Sequence, residues 1–111
     1  MGFAIFPGVN VIARKTLEAY WRRHPETEPS LRAWLSAART HQWTNMNDVV
    51  RTYSKASPIN SERCVFDICG GNHRLIVAFK FSGRTAFIKC IGTHAQYNRV
   101  TAATVANYKE A

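Results

Sequence analysis

The fold is decided by residues 64–91, CVFDICGGNHRLIVAFKFSGRTAFIKCI. Apolar and β-branched residues fill three runs here, and GGN and SGR separate them. Short glycine-bearing breaks between strand-like runs are hairpin signals. The stretch predicts three antiparallel strands, over residues 64–69, 73–81 and 85–91. Alternation then assigns the faces of the middle strand. Leu75, Val77, Phe79 and Phe81 share one side and are expected in the core. Arg74, Ile76, Ala78 and Lys80 share the other, which is expected to be open.

Toward the N-terminus the periodicity changes. Residues 9–13 (VNVIA) read as a short strand. Residues 16–24 place Leu17, Tyr20, Trp21 and His24 at helical spacing before Pro25 stops the run. A second helix is expected from about Ser30, with Leu31, Trp34, Leu35 and Ala38 on one apolar stripe. A third, shorter helical turn follows Asn47, with Val50 and Tyr53 on one side. Helices first and an antiparallel meander second make an α+β class, with the N-terminal strand and helices packed on one face of a small, mainly antiparallel sheet.

The chain has 111 residues, one domain's worth, with 46% hydrophobic content and three tryptophans. Its longest apolar runs are far short of the roughly 20 residues a membrane span needs. The opening MGFAIFPG has neither a basic flank nor a cleavage-site pattern, so a cytoplasmic protein is expected. Three cysteines cannot all pair, and reduced thiols are the simpler account. Fifteen Lys and Arg against seven Asp and Glu give a net charge of +8. From Ile68 through Lys109 there is no carboxylate, while Arg74, Lys80, Arg84, Lys89, Arg99, Lys109, His73 and His94 all lie there. Such a balance points to a polyanion, nucleic acid foremost, or to an acidic protein partner.

The third predicted strand runs into THAQY. Thr93 can cap a helical turn, with Gln96 completing a capping box. His94 and Tyr97, three residues apart, would project from one side of that turn. Free N–H groups of the first turn would offer a seat for phosphate beside Arg74 and Lys89. RNA cleavage by its own 2′-hydroxyl needs a proton acceptor, cations around phosphorus, and an acid for the leaving 5′-oxygen. An imidazole titrates near neutrality, so a histidine at position 94 suits either proton role. Tyr97 needs cationic neighbours to lose a proton. Arg74 can grip a phosphate bidentately and stabilise the transition state. The plainer alternative is a surface histidine and a tyrosine packed on the sheet.

Three segments carry a resemblance: VIARKTLEAYWRRHPE, VFDICGGNHRLIVAFKF and IKCIGTHAQYNRV. Over about residues 10–100 the chain resembles the HigB toxins, RelE-like components of bacterial toxin–antitoxin pairs. The resemblance implies a RelE-like fold and metal-independent, ribosome-dependent mRNA cleavage in the A site, with no cofactor. It also implies inhibition by a HigA-type helix-turn-helix antitoxin. By its position before Leu75 in the segment GGNHRL, Arg74 corresponds to the phosphate-binding arginine of RelE-like toxins. His94 corresponds to the residue acting on the leaving group, and Tyr97 to the C-terminal tyrosine often assigned as base. Arg51, Lys55, His73, Lys80, Lys89 and Arg99 are the expected RNA-binding set, and Asn72 is read as a turn former. Residues 1–8 are expected to be an N-terminal extension, since such toxins begin near the VIA strand.

Two other readings compete. Cys69/His73 and Cys90/His94 are C-x-x-x-H pairs of the kind that hold zinc, although Cys90 lies inside a strand, where a small buried thiol is usual. Tyr20, Trp21, Trp34, Trp43 and Tyr53 could be base-stacking platforms of a non-catalytic RNA-binding module, but their helical stripes read better as core. A diverged toxin that only binds its antitoxin is the remaining alternative.

Overall fold

A computed structural model describes residues 8–105 and the backbone of residues 109–110. The expected N-terminal extension therefore lies almost wholly outside the described residues. Strand β1 (Asn10–Ile12) leads into helix α1 (Arg14–Arg23), and a short 3-10 turn at Pro25–Thr27 joins it to α2 (Glu28–Thr40). Helix α3 (Met46–Thr52) precedes β2 (Ala56–Pro58), β3 (Arg63–Ile68), β4 (His73–Lys80) and β5 (Thr85–Thr93). A four-residue helix α4 (His94–Tyr97) and a two-residue strand β6 (Lys109–Glu110) complete the described elements.

The sheet has the order β1-β5-β4-β3-β2, with β6 beside β5 next to β1. Strands β2 to β5 pair antiparallel, whereas β1 and β6 run parallel to β5. The meander read from residues 64–91 is thus present. Strand β4 ends at Lys80 rather than Phe81, because residues 81–83 coil into a 3-10 turn. Phe81 still stacks on Phe79, with ring centroids 5.5 Å apart. Between β3 and β4, Gly70 and Gly71 take φ of +68° and +93°. Side chains avoid that region, which is why the turn is glycine-rich. Gly8 answers a different need. A Cβ there would lie 2.0 Å from the Arg39 carbonyl oxygen, so only glycine lets the chain approach the end of α2.

One face of the sheet carries the main core. Leu17, Tyr20 and Trp21 from α1 and Leu31, Trp34, Leu35 and Ala38 from α2 pack on Phe66, Leu75, Val77, Phe79, Ile88 and Ile91. Tyr20, Trp21, Trp34 and Trp43 are all buried, and Tyr53 turns its hydroxyl inward to donate to the Trp34 carbonyl at 2.7 Å. These aromatics are packing residues, so the base-stacking reading is overturned.

The second face corrects an expectation. Ile76 is wholly buried together with Val65 and Cys90, under Tyr97, Val100, Ala102 and Val105. The chain after β5 folds back as a strap over this face. Arg63 fastens it, donating from Nη1 to the carbonyls of Ala102 at 3.1 Å and Val105 at 2.7 Å. Alternation placed Ile76 beside Arg74 correctly but could not foresee the cover.

Candidate functional site

The strap brings the central residues together. Cross-strand register sets Arg74 of β4 opposite Asp67 of β3 and Gly92 of β5, on the strap-covered face. Arg74 extends its guanidinium over the ring of Tyr97, 5.3 Å from the centroid. On its other flank Arg74 Nε lies 2.8 Å from Asp67 Oδ1. That approach falls off the N–H direction, so the buried Nε makes no aligned hydrogen bond and the attraction is Coulombic. The Arg74 side chain keeps 23% of its surface open. A guanidinium held by charge and a π face, without an aligned hydrogen bond, can exchange a carboxylate for a phosphate.

His94 opens α4 three residues before Tyr97 and is exposed. Its N–H donates to the Asn72 carbonyl at 2.9 Å, which ties it to the start of β4, two residues from Arg74. The capping box is present: Thr93 accepts from the Gln96 N–H at 3.2 Å, and the Gln96 side chain accepts from the Thr93 N–H at 2.9 Å. The cap overturns one expectation, however. The peptide N–H groups of Thr93, His94 and Gln96 are already engaged, so this short turn is no ready phosphate seat. Cation and imidazole must bind any anion here.

The remaining residues scatter. Lys89 occupies the irregularity where Ile76 pairs with Cys90 but Val77 with Ile88, and its Nζ sits 5.5 Å from the Phe87 ring. Lys55 is exposed, and its carbonyl accepts from the Asp67 N–H at 3.2 Å, so it borders the Arg74 corner. Arg99 is exposed just beyond α4. Lys80 sits at the far end of β4, about 20 Å from Arg74 at the usual rise per strand residue. Arg51 is on α3 and pairs with Asp48, away from the strap. His73 departs furthest from expectation. Only 5% exposed, it points into the helix-covered side, where Nδ1 lies 2.7 Å from the Tyr20 hydroxyl and Nε2 3.1 Å from Glu26. Strand alternation explains this: neighbours 73 and 74 must face opposite ways. His73 therefore cannot meet RNA on the face that carries Arg74.

The two C-x-x-x-H pairs do not converge on one site. Cys69 packs beside the helix-side core and Cys90 lies under the strap. The residue missed from sequence is Asp67. It was recoverable by counting outward through the turn, since Ile68 pairs with His73 and Asp67 with Arg74.

Helices on one face of a small mixed sheet, with a strap across the second face, make an α+β architecture consistent with a RelE-like fold. The family model described as HigB toxin, the RelE-like toxic component of a toxin–antitoxin system, matches residues 27–100. The chain belongs to that family, and an antitoxin partner follows from it. No curated protein matches the sequence significantly. Among the described residues no helix is long and apolar enough to cross a membrane.

Proposed function

We propose that this chain is a single-domain cytoplasmic toxin that cleaves mRNA in the ribosomal A site and is held inactive by a HigA-type helix-turn-helix antitoxin. The 2′-hydroxyl of the substrate attacks the adjacent phosphorus, the P–O5′ bond breaks, and a 2′,3′-cyclic phosphate and a 5′-hydroxyl result. Arg74 binds the phosphate and neutralises the charge that grows on it. His94 and Tyr97 carry the proton transfers, one removing the 2′ proton and the other supplying the 5′ proton. Lys55, Lys89 and Arg99 surround that corner as RNA contacts, with Lys80 and Arg51 as outlying cations. No metal takes part in this scheme.

The observation that supports this reading most is the Arg74 guanidinium lying over Tyr97, next to the helical turn that begins at His94. Asp67 fits as the carboxylate that occupies Arg74 until a phosphate arrives. Expression of the chain in a bacterium should arrest growth, with mRNA cut within translated frames and fragments ending in cyclic phosphate. Arg74→Ala and His94→Ala should each abolish the cuts while the proteins still fold and bind antitoxin. Folded variants that still cleave would refute these roles; growth without arrest by the unaltered chain would favour a diverged toxin that only binds its antitoxin.

A further inference from the structure

On the opposite side of β4 from Arg74, three ligand-type side chains converge. His24 caps the C-terminus of α1, Glu26 lies in the 3-10 turn that follows, and His73 begins β4. Their candidate donor atoms all lie within 4.8 Å of one another. The His24 ring stacks on Tyr20 at 4.3 Å and meets the His73 ring edge-on at 5.4 Å. His73 Nε2 and Glu26 Oε2 are 3.1 Å apart. Two ligands bound 2.0–2.1 Å from one tetrahedral zinc ion sit about 3.3 Å apart, so this pair already spans such an edge.

We propose that His24, Glu26 and His73 form a binding site for a zinc-class divalent transition metal, a clamp between the end of α1 and the start of β4. His73 would bind through Nε2. Its Nδ1 then carries the proton, facing the Tyr20 hydroxyl at 2.7 Å, the outer contact that fixes the tautomer of a metal-bound histidine. Glu26 is a ready anionic ligand. The Glu26 side chain is 57% exposed, so metal can enter from solvent and a water can take the fourth position. Two imidazoles with one carboxylate favour zinc-class ions over magnesium, which prefers all-oxygen shells. The clamp anchors the strand end that carries Arg74 on its other face. It takes no part in the proposed RNA chemistry and stands or falls independently of it.

Thermal melts of the purified full chain, with EDTA, zinc chloride or magnesium chloride, test this together with titration calorimetry. Zinc at a hundredfold over its dissociation constant should raise the Tm by about 10 °C and bind one ion per chain, and magnesium should do neither. The readout is the zinc-dependent increment, so variants that melt lower on their own remain informative. Glu26→Gln and His24→Ala should each remove the increment, while His94→Ala keeps it. If zinc produces no shift, or Glu26→Gln retains it, the three residues are a hydrogen-bonded cluster only and the metal site is refuted.

Discussion

Replacing Tyr97 by phenylalanine separates packing from chemistry at the proposed site. The ring is half-buried on the strap, against Val65, Ile76 and Cys90, and carries the Arg74 guanidinium 5.3 Å from its centroid. Phenylalanine keeps both contacts. Among the described residues the Tyr97 hydroxyl has no hydrogen-bond partner, so its loss should change stability by no more than about 0.5 kcal/mol. Alanine removes the ring. A fully buried ring costs about 3–5 kcal/mol on truncation, so a half-buried one should cost about 2 kcal/mol. The cation–π contact adds about 0.5–1 kcal/mol at a partly open position. Tyr97→Ala should thus lose about 2–3 kcal/mol, or about 10–20 °C in Tm for a domain of this size. Activity should follow another order. If the phenol moves a proton, Tyr97→Phe loses about 10²–10⁴ in cleavage rate with its fold intact. Single-turnover cleavage of ribosome-bound mRNA, beside thermal melts, measures both. Cleavage by Tyr97→Phe within threefold of the parent would refute the proton role, and a Tm loss equal to that of alanine would refute the packing account.

Three further outcomes follow from other parts of the structure. Arg63→Met removes both hydrogen bonds that fasten the strap; stability should fall by about 1–3 kcal/mol, and limited trypsin digestion should cut at Arg99 much faster than in the parent. Asp48 accepts from the Thr44 N–H and hydroxyl, each at 2.8 Å, and these bonds, backbone first, with Arg51 hold its carboxyl below the ordinary aspartate range. A depressed folded-state value gives stability that is present above the unfolded value and lost as pH falls through the folded one, so Asp48→Asn should melt below the parent at pH 7, and the gap should close as the pH falls below the ordinary aspartate range. Burial pushes the Cys64 thiol up to about 12, and Cys90 is equally enclosed, whereas Cys69 is partly open; iodoacetamide at pH 8 should label Cys69 in the native protein and the other two only after unfolding, as read by mass spectrometry.

Sequence by itself determined the elements and their main faces. Period-two alternation with glycine turns is a local property, so residues 64–91 announced β3, β4 and β5. The apolar stripes of α1 and α2 likewise announced which residues would meet the sheet. The capping box at Thr93 was legible because it needs only residues three apart. The short edge strand β2 was not, because three residues ending in a proline carry no period to detect. Tertiary structure alone decided three things. The strap over Ile76 depends on where the chain travels after α4, and no local pattern encodes that path. The meeting of Arg74 with Tyr97 depends on how α4, turning directly out of β5, sits over the neighbouring strand β4. The company of His73 was decided by α1 and the turn after it, which set His24 and Glu26 against a strand some fifty residues later. Periodicity tells which way a side chain points; only the packed molecule supplies what it finds there.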